Sequence, residues 1–86
     1  MTQNSNDKHL RLWTPATYRV EVDGHLDESW SDRLAGMRIT ARERPDQTFV
    51  TTLIGRLRDQ AELSGVLNSL YDLHLSILKV EMVNGE

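Results

Sequence analysis

One amphipathic stripe between Asp59 and Leu73 limits what the rest of this chain can be. Leu63, Val66, Leu67 and Leu70 recur at i, i+3, i+4 and i+7, the spacing of a single helix face. Asp59 stands before the stripe and Glu62 follows three residues later, a capping-box start with Asp in place of Ser or Thr. Such a cap stabilises a helix by about 1 kcal/mol. His74 falls at the stop, where Gly is usual; His enters the left-handed region more readily than most residues. A partial charge on it also suits the helix C-terminal dipole. From Leu75 the period changes to two, with Leu78, Val80 and Met82 facing one way and Ile77, Lys79 and Glu81 the other. A helix with one apolar stripe has to bury it, and the strands around this one offer the cover.

The chain ahead of the helix supplies those strands. From Thr17 to Asp23, Tyr18, Val20 and Val22 alternate with Arg19, Glu21 and Asp23, which reads as a first strand. Gly24-His25-Leu26 turns the chain. Asp27 can cap a short helix running to about Ala35, with Leu26, Trp30 and Leu34 spaced by four and Gly36 as its stop. Met37, Ile39 and Ala41 alternate with Arg38, Thr40 and Arg42 in a second strand. Pro45-Asp46 suits the centre of a type I turn, so a hairpin leads into a third strand from about Thr48 to Arg56. The order strand, helix, strand, strand, helix, strand predicts an α+β fold. Its simplest form is the ferredoxin-like βαββαβ sandwich, a four-stranded antiparallel sheet with both helices on one face.

The boundaries follow. Residues 1–16 read as a polar, mobile arm carrying a short apolar patch at Leu10, Leu12 and Trp13, and 17–86 as one domain. At 86 residues the chain buries about 60% of its unfolded surface, so a partner subunit would add stability.

The third strand suggests where that partner binds. Phe49 and Leu53 lie on one face, Val50 and Ile54 on the other, whereas a half-exposed strand alternates cleanly. Helices cover one face; a second subunit, or the Trp13 arm, is expected to cover the other. We assign Phe49, Thr51, Leu53 and Trp13 to that interface. Gly65 joins them, because it lies opposite the leucine stripe beside Asn68, Ser69 and Asp72. A mid-helix Gly costs about 1 kcal/mol against Ala, and close approach of another backbone is one reason to keep it; an ordinary surface position is the other.

A ligand site is expected at one rim. In this fold the first and third strands are expected as parallel neighbours at the sheet centre, so their C-terminal ends meet. That brings Gly24, His25 and Asp27 beside Gly55, Arg56, Arg58, Asp59 and Gln60, with two helix N-termini that can attract anions. Asp27 and Asp59 counter this as caps. His25 near Asp27, Glu28 and Asp32 could do acid–base work, with Trp30 in a pocket, but no metal-ligand spacing, nucleophile elbow or phosphate loop accompanies it. No catalytic residue, cofactor or metal is expected.

Composition narrows the partners. Net charge is -3, which disfavours a nucleic-acid binder. Arg38, Arg42 and Arg44 cluster; such groups grip carboxylates or phosphates, or simply cover a solvated strand face. The chain has no Cys, hence no disulfide framework, and no long apolar run or signal-like start, so no membrane partner and a cytoplasmic address are expected.

Two segments carry a resemblance. Val22-Asp23-Gly24-His25-Leu26-Asp27-Glu28-Ser29-Trp30 with Gly36, and Asp59-Gln60 through Leu63, Gly65, Leu67, Asp72-Leu73-His74-Leu75 and Val80-Glu81, resemble a family of small uncharacterised bacterial proteins. The likeness spans roughly Tyr18 to Glu81 and implies no activity. The second segment is also similar to half of an ACT-type regulatory domain, which implies the same topology and amino-acid binding at subunit interfaces. Gln60-Ala61 stands where that family usually has Pro-Gly. The expectation is a non-enzymatic interaction or regulatory homodimer, with an ACT-like ligand rim. The alternatives are a small dimeric monooxygenase- or isomerase-type enzyme using His25, and an accessory subunit that docks by a strand edge.

Overall fold

Every neighbouring pair of strands in this protein is antiparallel. The computed structural model describes residues 15–83. Strands β1 (Ala16–Asp23), β2 (Arg38–Glu43), β3 (Phe49–Leu57) and β4 (Ser76–Val83) form one sheet in the order β2-β3-β1-β4. A 3-10 helix (Glu28–Leu34) joins β1 to β2, and an α-helix, α1 (Gln60–Asp72), joins β3 to β4. Order and direction are those of the ferredoxin-like sandwich, as the element sequence predicts. The 1–16 arm lies, up to residue 14, outside the described residues, and so does Trp13.

The core sits between the helices and one sheet face. Tyr18, Val20 and Val22 of β1 pack with Leu53 and Leu57 of β3 and Ile39 of β2, under Leu34, Leu63, Val66 and Leu70. The leucine stripe of α1 therefore faces inward as its spacing requires, except that Leu67 is half-buried at its margin. The helix closes with a Schellman motif. His74 takes φ 63°, its N–H donates to Tyr71 O at 2.9 Å, and Leu75 N–H donates to Leu70 O at 3.2 Å. At the other end Asp59 accepts from Glu62 N–H at 2.9 Å, while Glu62 reaches back to Arg58 N–H at 2.8 Å. This is the expected capping box with its return bond placed one residue earlier.

The first helix differs from expectation. Its turns are 3-10 rather than α, since only seven residues separate the Asp27 cap from the left-handed pair Ala35 and Gly36. Leu26 lies ahead of it and Leu34 at its end, and both are buried; Trp30 is half-buried with Arg33 5.1 Å above its ring. The hairpin is as predicted. Gln47 N–H donates to Arg44 O at 2.9 Å across Pro45-Asp46, and Gln47 itself turns left-handed at φ 72°.

The reverse face corrects the sequence reading. Directly opposed residues point to the same side of a sheet. By register, the uncovered side carries Arg19, Glu21 and Asp23 of β1, Arg38, Thr40 and Arg42 of β2, Thr52 and Arg56 of β3, and Lys79 and Glu81 of β4. Val50, Ile54 and Val83 are its apolar members, and Val50 is already buried. The side is polar, so it does not call for an apolar cover. Thr51 and Leu53, assigned to that cover from sequence, point the other way and are fully buried beneath the helices. They cannot meet a second subunit. Phe49 shares their side and is half-buried.

Candidate interaction surface

The rim expected from sequence is not assembled. Strands β1 and β3 run antiparallel, with Asp23 opposite Val50 at one end and Ala16 opposite Leu57 at the other. Gly24, His25 and Asp27 therefore lie at one end of the sheet, and Gly55, Arg56, Arg58, Asp59 and Gln60 at the opposite end. Seven residues of strand, roughly 24 Å, separate them. The physical reason is the hairpin: a strand–helix–strand unit leaves β2 parallel to β1, and the tight turn at Pro45-Asp46 then reverses β3.

At the first end, structural bonds occupy the polar groups. Thr51 Oγ1 donates to Gly24 O at 2.6 Å and accepts from Leu26 N–H at 3.1 Å, pinning the turn after β1. Asp27 caps the 3-10 helix by accepting from Ser29 N–H at 3.0 Å. The Ser29 hydroxyl first, then its backbone N–H, holds the exposed Asp27 carboxyl below its ordinary value; His25 nearby adds a smaller pull in the same direction. His25 is exposed, and its ring meets Phe49 edge-on at 5.1 Å and 84°. It stands on a solvent-exposed turn, where it borders an open concavity with Asp27 and Glu28 beside Ile39 and Thr40 of β2. Among the described residues no three His, Asp or Glu side chains come together as a metal site.

At the second end, Asp59 is the cap of α1, and Gln60 Nε2 donates to the Tyr18 hydroxyl at 2.6 Å. Arg58 turns to Glu62 at 3.4 Å. Gly55 packs closely just ahead of β2: a Cβ there would sit 3.1 Å from Met37 Cα, a tight contact that a small backbone shift would have to relieve. Beside it, Arg56 and Arg38 border a shallow concavity with Thr17, Gly36 and Ile54 on the uncovered sheet side. Gly65 is exposed on α1 with open space where a Cβ would stand, so nothing among the described residues requires a Gly there.

The surface feature that sequence reasoning missed lies along β4. The large apolar side chains exposed among the described residues are Tyr71, Leu78, Val80 and Met82, at 74%, 49%, 40% and 47%. Three are on β4 and the fourth is in the last turn of α1, where Tyr71 borders a groove with Leu75 and Ile77. Val80 opposes Val20 and Met82 opposes Tyr18, so these side chains stand on the helix side of the sheet. They stay exposed because β4 is an edge strand among the described residues and α1 covers it only in part. A register shift between Glu21 and Val22 places Ile77 opposite Val22 and leaves Leu78 as the extra residue of a bulge. The alternation of β4 was visible in the sequence from Leu78 to Met82, but Ile77, expected beside Lys79 and Glu81, is turned by the bulge to the helix side.

A family model for a domain of unknown function, DUF8691, matches residues 17–81. The chain belongs to this family. The match spans β1 through most of β4, so the DUF8691 domain takes in both helices and the edge strand described above. No curated protein and no solved structure matches the chain. Membership in DUF8691 carries no assigned activity. Among the described residues no helix is long and apolar enough to cross a membrane.

Proposed function

We propose that this chain is a non-enzymatic association module that works as a homodimer through the β4 edge. The observation that supports it is the gathering of Tyr71, Leu78, Val80 and Met82 along β4, which pairs with β1 on one side and is an edge strand among the described residues. Contiguous exposed apolar surface marks interaction sites, and an open strand edge adds a row of unpaired backbone donors and acceptors. The opposite edge, β2, is shorter and, among the described residues, carries no exposed large apolar side chain. Sedimentation over a wide concentration range tests the reading. Wild type should form dimers, and Val80→Lys with Met82→Lys should shift the species to monomer with an unchanged circular dichroism spectrum. A wild-type monomer at every concentration would reject it.

A second reading rests on Arg38 and Arg56. On a chain of net charge -3, the uncovered sheet side carries five basic side chains against three acidic ones. The concavity beside Thr17 fits a small carboxylate or phosphate group, for which Arg is the usual binder. Titration calorimetry with inorganic phosphate and with acetate, on wild type and on Arg38→Gln with Arg56→Gln, separates this reading from simple solvation.

A further inference from the structure

We infer that the two copies pair antiparallel along β4 with the two-fold axis at Val80, which rests on the homodimer reading above. Two identical strands related by a two-fold axis perpendicular to the sheet must place one residue opposite its own copy, because side chains alternate faces. Of the eight positions of β4, the central ones give the longest pairing, and the sequence Leu78-Lys79-Val80-Glu81-Met82 distinguishes them. An axis at Lys79 sets like charges face to face, and so does an axis at Glu81. An axis at Leu78 falls on the bulge, where alternation breaks and Ile77 and Lys79 stand on opposite faces, and an axis at Met82 sets Glu81 against Val83. An axis at Val80 sets Leu78 against Met82 of the second copy on the helix side, and Lys79 against Glu81 of the second copy on the other. That register alone pairs apolar with apolar and cation with anion, twice over by symmetry.

The charged pairs extend contacts already present within one chain. Glu81 lies 3.1 Å from Arg19 Nε and 3.7 Å from Lys79 Nζ, and all three are on the polar side of the sheet. A second copy adds its Lys79 to the far side of that carboxylate. On the helix side, the Leu78–Val80–Met82 stripe and its copy close the gap that α1 leaves over the edge strand. The product is one eight-stranded sheet with both α1 helices on the same side.

The absence of cysteine makes a direct test available. Val80→Cys puts the chain's one thiol on the axis, where antiparallel Cα–Cα distances of about 4.5–5.5 Å permit a disulfide. Mild oxidation should convert most of this variant to covalent dimer. Lys79→Cys alone should stay uncrosslinked, yet crosslink when mixed with Glu81→Cys. Charge reversal supplies a second measurement that does not depend on thiols. Lys79→Glu or Glu81→Lys alone should weaken the dimer roughly tenfold, and an equimolar mixture of the two should restore it as a heterodimer. A wild-type dimer whose Val80→Cys variant stays reduced and monomeric on denaturing gels overturns the register but leaves the association reading standing. Equal crosslinking of Val80→Cys and Lys79→Cys also overturns it, as unspecific sticking of an open edge. A wild-type monomer throughout, as when another part of the same chain covers β4, overturns both.

Discussion

Thr51 ties the end of β1 to the 3-10 helix with one hydroxyl, donating to Gly24 and accepting from Leu26 in a fully buried position. Thr51→Val keeps the shape and removes both bonds, leaving a buried N–H and a buried C=O unmet. The expected cost is about 2 kcal/mol, read from urea unfolding midpoints at constant slope. His74 gives the opposite sign. It holds φ 63° without the freedom of Gly, so His74→Gly should stabilise the fold by about 1 kcal/mol in the same assay. The two residues differ in how readable they were. His74 announces itself because its neighbours in space are its neighbours in sequence, at the end of a visible stripe. The bonds of Thr51 reach residues 25 and 27 positions away, and nothing local in Val50-Thr51-Thr52 marks one threonine over the other.

Among the elements, those with a cap and a period were legible: α1 with Asp59 and its leucines, β1 with its strict alternation, and the hairpin at Pro45-Asp46. The segment after Asp27 was legible as helical but not as 3-10, since a spacing of four over so short a run does not separate the two geometries. Two exposed aspartates set how these elements respond to acid. Asp27 caps the 3-10 helix, and Asp46 accepts from the Thr48 hydroxyl at 2.6 Å and its N–H at 3.0 Å inside the hairpin. Those bonds hold both carboxyls below the ordinary value of 3.8, the hydroxyl being the largest influence in each case. A carboxyl whose folded-state value is depressed contributes its stability in full above the unfolded value. That contribution is lost as pH falls through the folded one. Melting temperature should therefore decline below about pH 4, and Asp27→Asn with Asp46→Asn should flatten the decline. A double variant that tracks wild type down to the acid limit would remove both residues from the account.

For the whole molecule, the order of elements was enough to give the sandwich, but strand direction decided where its ends fall. Treating β1 and β3 as parallel placed His25 beside Arg56; the antiparallel register sets them at opposite ends and dissolves the imagined rim. The same register moves the apolar surplus from the reverse side of the sheet to its β4 margin. Charge divides along with it. Basic side chains outnumber acidic ones on the uncovered sheet side although the chain as a whole is acidic, so the molecule is electrically two-sided.

The pairing of β1 with β4 has a consequence in time. The strand made earliest, Ala16–Asp23, sits in the middle of the sheet and takes one of its two neighbours from Ser76–Val83, the strand made last. A ribosome must finish residue 83 before that neighbour exists, so the nascent domain waits with its central strand half-bonded and open to chaperones. Completion of the sheet then comes in one late step, when Ser76–Val83 docks beside β1, not as a gradual build-up from β1 onward.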